Sequence, residues 1–191
     1  MRIIAGRFRG RRLSGPAGST TRPTADRVRE AVFSTIESRF GPMDGAAVLD
    51  AFAGSGAMGL EALSRGAAHV TFWDTDHRAL HAIRTSIADL GVKEQCTVAR
   101  VDALSPGVAR RAPERLSLLF VDPPYRIVPA QVSKLLESLA ESGALLEDAI
   151  VVYEHASSTQ AQWPRGFAPI GEKRYGDTSV SYAVWNRESR S

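Results

Sequence analysis

The chain has 191 residues, 43% of them hydrophobic and 24% charged, with one cysteine and a formal net charge of +3 at pH 7. That length and mix suit one globular domain with a sizeable core. No apolar stretch approaches the ~20 residues of a membrane-spanning helix, the basic amino terminus leads into no secretory apolar segment, and one cysteine excludes an intramolecular disulfide or a cysteine-rich zinc site, so a cytoplasmic protein is expected.

Charge is unevenly placed. Arg2, Arg7, Arg9, Arg11, Arg12, Arg22, Arg27 and Arg29 crowd the first thirty positions against Asp26 and Glu30. They are interleaved with glycine and small apolar residues, and arginine's planar fork suits phosphates and base faces, so nucleic acid is the expected partner. Arg2 to Leu13 is expected to form short strands around glycine turns, presenting arginines and Phe8 outward. Ser14 to Thr21, rich in Gly, Pro, Ser and Thr, reads as a loop. Residues 1–21 are thus expected to be an arginine-rich docking arm, and 22–191 the main domain. Thr24 is a candidate N-cap for a helix carrying Val28, Val32 and Ile36.

From Ala47 strands and helices alternate. Strands are predicted at Ala47 to Ala51, His69 to Trp73, Thr97 to Val101, Leu118 to Val121 and Ala149 to Tyr153. Helices are predicted at Gly59 to Arg65, stopped by Gly66, and from Asp76 as cap to Gly91, with Leu80, Ile83, Ile87 and Leu90 on the apolar face. Two more are predicted at Ser105 to Arg111 and Val132 to Glu141. Such alternation implies a Rossmann-like, doubly wound parallel sheet covered on both faces. Phe167 to Tyr175 and Thr178 to Trp185, joined only by Gly176-Asp177, leave no room for a crossover helix, so a terminal antiparallel hairpin is predicted.

Two strand ends carry candidate chemistry. Val48-Leu49-Asp50-Ala51-Phe52-Ala53-Gly54-Ser55-Gly56-Ala57-Met58-Gly59 ends a strand in a glycine loop, and its Gly-x-Gly-x-x-Gly spacing alone is a weak sign of a nucleotide ligand. Asp50 sharpens it, because a carboxylate there repels a pyrophosphate and holds an ammonium. Asp74 ends the next strand, where an acid accepts from ribose hydroxyls. Asp102 ends the third, where it could accept from an adenine amine. Ammonium, ribose and adenine together describe S-adenosylmethionine, with Thr75 and Ala103 beside these acids as further contacts. The second strand end, Leu118-Leu119-Phe120-Val121, is cut by Asp122-Pro123-Pro124-Tyr125, whose prolines cannot continue a ladder. It delivers a carboxylate, rigid carbonyls and an aromatic ring to one spot.

Those two segments, with the terminal hairpin, resemble class I S-adenosylmethionine-dependent methyltransferases. More narrowly, Arg2-Ile3-Ile4-Ala5-Gly6 with Arg9-Gly10, Thr21-Arg22-Pro23-Thr24 through Arg27-Val28-Arg29-Glu30, and Asp50-Ala51-Phe52-Ala53-Gly54-Ser55-Gly56 resemble the RsmD family over nearly the whole chain. Members methylate the exocyclic N2 of one guanine in small-subunit 16S ribosomal RNA. The resemblance implies a monomeric enzyme acting on the small ribosomal subunit, with Asp122, Pro123, Pro124 and Tyr125 catalytic, and Thr24 and Arg27 bordering the cofactor or the entering base. From the arginine-rich arm itself, RNA contacts by Arg7, Phe8, Arg9, Arg11, Arg12 and Arg22 are expected. Asp74 stands where relatives often carry Glu, so the shorter acid would reach the ribose through a water.

Competing readings are a DNA adenine-N6 methyltransferase, which would need a target-recognition region this chain has little room for, and a non-catalytic RNA-binding protein, which would not need Asp122 to Tyr125. Hydride transfer with a dinucleotide is disfavoured by Asp50. His77 and His81 have metal-compatible spacing but no evident third ligand, so no metal is expected. Cys96, in a predicted strand, is expected to be a buried, inert thiol.

Overall fold

The computed structural model describes residues 1–15, 23–113 and 115–187. It contains two compact units, Met1–Arg100 and Val101–Ser191. In the first, helix α1 (Pro23–Phe40) buries Val28, Val32, Phe33 and Ile36. It begins one residue before the expected Thr24 cap. Proline's fixed φ suits the first helical position, so Thr24 falls inside the first turn, and its side chain lies outside the described residues, as does Arg22.

Strands β1 (Ala47–Asp50), β2 (His69–Asp74) and β3 (Cys96–Arg100) pair in parallel, with Leu49 opposite Thr71 and Phe72 opposite Val98. Val70, Phe72 and Trp73 of β2 are all buried, and burying each such large side chain contributes roughly 1.5–3 kcal/mol. Helix α2 (Ala57–Ser64) joins β1 to β2, and α3 (His77–Leu90) joins β2 to a short 3-10 turn before β3. The local signals for α3 act as read from the sequence. Asp76 accepts the Arg78 amide at 2.8 Å as N-cap, Gly91 adopts φ 71° as C-cap, and Leu80, Ile83, Ile87 and Leu90 are buried.

The second unit holds β4 (Leu116–Val121), α4 (Pro129–Glu141), β5 (Leu145–Ala156), β6 (Phe167–Tyr175) and β7 (Thr178–Trp185). β4 and β5 are parallel, and β7 runs antiparallel to both β5 and β6. The hairpin predicted around Gly176-Asp177 is therefore present. Strand β5 is longer than predicted, extending from Leu145 through a left-handed Asp148 (φ 61°). The helix predicted at Ser105 to Arg111 is a single 3-10 turn over Val108–Arg111. Pro106 cannot supply a helix-interior donor and Gly107 sits at φ 73°, so the stretch breaks before a helix can propagate. The strands of the first unit are all parallel and those of the second are mixed, a strand pattern of the Rossmann-like class.

The arm, residues 1–15, is a folded-back loop with a single antiparallel bridge between Arg2 and Arg12 in place of the expected strands. Ile3 donates its amide to Arg11 O at 3.0 Å and accepts from Gly10 N at 2.9 Å. Its hold on the first unit is polar and buried. Glu61 of α2, 1% exposed, accepts the Ile4 amide at 2.8 Å and the Ala5 amide at 3.0 Å. The same carboxylate accepts from Arg65 Nε at 2.9 Å and lies 3.6 Å from Arg29 Nε. Arg29, 4% exposed, donates to the Arg2 carbonyl at 2.7 Å and to Asp26 at 3.0 Å. Ser64 closes the anchor, donating to Ala5 O at 2.6 Å while its Oγ accepts the Phe8 amide at 3.0 Å and its carbonyl the Arg7 amide at 2.8 Å. The arm passes so close that a Cβ on Gly6 (φ 82°) would lie 1.9 Å from Ser64 O.

Removing one partner of a buried ion pair leaves the other uncompensated, which costs about 3–5 kcal/mol. Glu61→Ala is therefore expected to lower the unfolding free energy from urea titration by an amount in that range, through a lower midpoint at unchanged denaturant slope. A loss below about 1 kcal/mol, the size of a surface pair, would show that the arm is held by other contacts.

Candidate functional site

The glycine loop after β1 is shaped by two acids. The Gly54 amide donates to Asp74 Oδ2 at 2.7 Å, and Asp74 Oδ1 accepts the Asp76 amide at 2.8 Å, so Asp74 ties the loop to the end of β2 and to the start of α3. Asp50 Oδ2 accepts the Gly59 amide at 3.1 Å. Ala53 N bonds to Trp73 O at 2.9 Å and Gly56 N to Ala53 O at 2.6 Å. Gly56, at φ 75°, is required by backbone shape. Gly59 is required by packing, since a Cβ there would lie 2.3 Å from the Phe72 ring. Asp50, Phe52, Ala53, Gly54, Ser55, Gly56, Gly59, Asp74 and Thr75 are thus assembled around one loop. Phe52 and Ser55 are half-buried, Ala53 is buried and Thr75 exposed.

Asp50 is buried, and burial pushes its carboxyl up to about 7, against the lowering effect of the Gly59 amide and with a further rise from the negative charge of Asp74. The Asp74 carboxylate beside the loop, joined by the Asp50 charge only as that group ionises near neutral pH, makes it a poor place for a phosphate and a good one for a cation. Arg27 is exposed on α1 and lines a cavity with Arg2 and Arg9 of the arm.

In the second unit, Asp102 is exposed and makes a tight turn, its Oδ1 accepting the Leu104 amide at 2.9 Å and its carbonyl accepting Ser105 Oγ at 2.8 Å. Ala103 beside it is buried. Asp122 ends β4 with its side chain exposed, Pro123 is buried, and Pro124 accepts the Ile127 amide at 2.9 Å. Tyr125 is 73% exposed, yet its hydroxyl lies 3.2 Å from Thr178 Oγ1 at the start of β7. Thr178 pairs with Ala156 at the end of β5. An exposed aromatic face held by its hydroxyl, three residues after an exposed carboxylate, can stack on a planar group while the acid accepts from an amine.

The sequence did not single out Thr178, though the hairpin pairing places it beside the β5 end. It also passed over the buried His155, whose Nε2 lies 2.8 Å from Ser181 Oγ, which donates to Glu172 at 2.7 Å. Glu61 was missed as well, its only signal being one acid inside an otherwise small and apolar helix.

The arm's arginines differ in their surroundings. Arg7 donates to Gln95 at 2.7 Å with its guanidinium 4.6 Å above the half-buried Phe8 ring, and Arg11 donates to Asp89 O at 2.6 Å. Arg9 and Arg12 are exposed. Cys96 is half-buried, and burial pushes its thiol up to about 12 although Arg7 opposes the rise. Among the described residues no three His, Cys, Asp or Glu side chains cluster as metal ligands, and no helix is long and apolar enough to cross a membrane.

Because the folded chain keeps a proton on Asp50 up to about pH 7, while an unfolded aspartate loses it near 3.8, stability falls as pH rises through that window and levels off above it. Asp50→Asn removes the titration and retains an acceptor for Gly59. Its melting temperature relative to wild type is expected to rise between pH 4 and pH 8, by the equivalent of about 1–4 kcal/mol. A constant difference across that range would show that Asp50 is not shifted.

The chain and its fold have counterparts among known proteins. The family model described as "Conserved hypothetical protein 95" matches residues 1–184. A protein of Bacillus subtilis named putative rRNA methyltransferase YlbH is 36% identical over 183 residues, covering 95% of this chain and 97% of that protein. The Ribosomal RNA small subunit methyltransferase D of Escherichia coli K12 is 33% identical over 191 residues, 100% of this chain and 91% of its own length. A solved structure described as putative methyltransferase yhhF from Escherichia coli superposes with a TM-score of 0.82 at 32% identity, over 97% of this chain and 98% of that one. With a glycine loop braced by two acids, an Asp-Pro-Pro-Tyr turn ending β4 and full-length likeness of this degree, the chain belongs to the conserved hypothetical protein 95 family and is an RsmD-type methyltransferase.

Proposed function

We propose that this chain transfers a methyl group from S-adenosylmethionine to the exocyclic N2 of a guanine in small-subunit ribosomal RNA. The observation that carries the reading is the turn after β4, where an exposed carboxylate precedes an exposed ring anchored to Thr178. The names of the relatives supply the RNA class. The cofactor, when bound, supplies an electrophilic methyl on a positively charged sulfur.

The residues fit such a ligand. Asp50 and Asp74 give the glycine loop the sign of field that a cation requires, with Asp50 acting through the loop because its carboxylate is buried on the Gly59 amide. Asp74 spends one bond per oxygen on backbone amides and retains acceptor capacity for ribose hydroxyls. In this reading Asp102 accepts from the adenine amine, and Ala103 packs beside it.

An exocyclic base amine is a weak nucleophile because its lone pair is delocalised into the ring. Hydrogen bonds from its N–H groups to Asp122 and to the Pro123 carbonyl localise that pair and aim it at the methyl carbon. Bound S-adenosylmethionine would supply the methyl group and retain the C–S electron pair on sulfur, and Asp122 or water would take the proton that the amine then sheds. Tyr125 stacks on the base and holds it out of the RNA stack. Residues 1–21 act as the docking arm on the small subunit, and 22–191 as the methyltransferase domain of a cytoplasmic monomer.

Asp122→Asn is expected to lower kcat for label transfer into unmodified small subunits by about 10²–10³-fold while the cofactor Kd stays within about twofold of wild type. Wild-type turnover in that variant would remove Asp122 from the chemistry. Tyr125→Ala should act chiefly on KM for RNA, and an unchanged KM would remove the stacking role.

A further inference from the structure

On the premise that RNA is the substrate, we propose that the cavity between the arm and α1 is a second RNA site, a pocket that takes one unpaired guanine nucleotide outside the reacting base. The cavity has a volume of about 430 Å³, within the range of small-ligand sites. Its walls carry Arg2, Arg9 and Arg27, together with Asp26 and Glu30, over the buried Ile3.

This mixture selects the occupant. A bare polyanion gains from three guanidiniums but meets two carboxylates, so the pocket is poorly made for phosphate alone. A nucleotide offers one phosphate for the arginines, a flat ring for the apolar floor, and a base edge for an acid. A carboxylate accepts two parallel N–H bonds best from guanine, whose N1–H and N2–H lie side by side. Cytosine offers one amine, adenine one amine beside an acceptor, and uracil one imide. In a paired helix that edge is occupied, so the nucleotide must be unpaired.

The walls are fixed before a ligand arrives. Arg29 behind them donates to the Arg2 carbonyl and to Asp26 Oδ1, and its ion pair with Glu61 fixes it to α2. Glu30 follows Asp26 by one helical turn and is exposed, so it is the acid that reads the base edge. The placement also separates the arm's arginines. Arg7 and Arg11 are bonded to Gln95 and Asp89 O, and neither they nor the exposed Arg12 lines the cavity, whereas Arg9 and Arg27 do so beside Arg2; Arg27, expected from the sequence to border the cofactor or the entering base, is assigned here to this pocket.

The test is fluorescence anisotropy of the full chain, without cofactor, on short single-stranded RNAs carrying one central G, A, C or U in an otherwise constant sequence. Wild type should favour the G oligonucleotide. Arg9→Ala and Arg27→Ala should each weaken binding about tenfold and reduce the salt slope by about one, more than Arg7→Ala or Arg11→Ala. Glu30→Gln should erase the preference for G while keeping the salt slope. Urea midpoints equal to wild type would show that these exposed positions leave the fold intact. Equal affinity for the four oligonucleotides, a G preference that survives Glu30→Gln, or wild-type binding by the Arg9 and Arg27 variants would overturn the proposal. The readout involves no methyl transfer, so a chain that binds G as described but labels no RNA would refute the proposed reaction and leave this site standing.

Discussion

The first unit depends on one buried carboxylate. Glu61 gathers two backbone amides of the arm and two arginine side chains at a point almost closed to water. A lone ionised acid could not persist there. It persists because each partner solves the others' problem: the amides of Ile4 and Ala5 have no strand to join, Arg29 has no solvent, and Glu61 has no other charge to face. The arm is therefore an integral part of the first unit, although it carries almost no regular structure.

Helix α2 links that anchor to the glycine loop after β1. Its amino-terminal end follows the glycine turn, where Gly59 is bonded to Asp50, and its carboxyl-terminal end holds the arm through Glu61 and Ser64. Both contacts lie within one helix of eight residues, so the anchor and the loop are held by the same short rigid element. The loop has little freedom of its own, because Gly59 is wedged against Phe72 and Gly54 is tied to Asp74. Preorganisation of this kind would serve the proposed methyl donor, since misplacing reacting atoms by about 1 Å can lower a rate about 10²-fold.

The features legible in the sequence were those with local causes. The cap at Asp76, the stop at Gly91, the Gly176-Asp177 turn and the two strand ends each follow from residues within one or two turns of one another. The expected helix at 105–111 failed for a local reason as well, being broken by Pro106-Gly107. What stayed hidden was long-range. Glu61 meets its amide partners across 56 and 57 residues, and nothing near it in the chain announces them. Nor does the sequence tell one arginine from another, yet Arg29 is buried in the anchor, Arg7 and Arg11 are bonded to neighbouring groups, and Arg9 and Arg27 line a cavity.

The central claim is the identity of the methylated atom. Small ribosomal subunits lacking the modification, naked 16S RNA and duplex DNA would each be incubated with the protein and methyl-labelled S-adenosylmethionine, digested to nucleosides and separated. The account predicts label in N2-methylguanosine at a single position of the small-subunit RNA. Label in N6-methyladenine from DNA, or in no nucleoside from any of the three substrates, would contradict it.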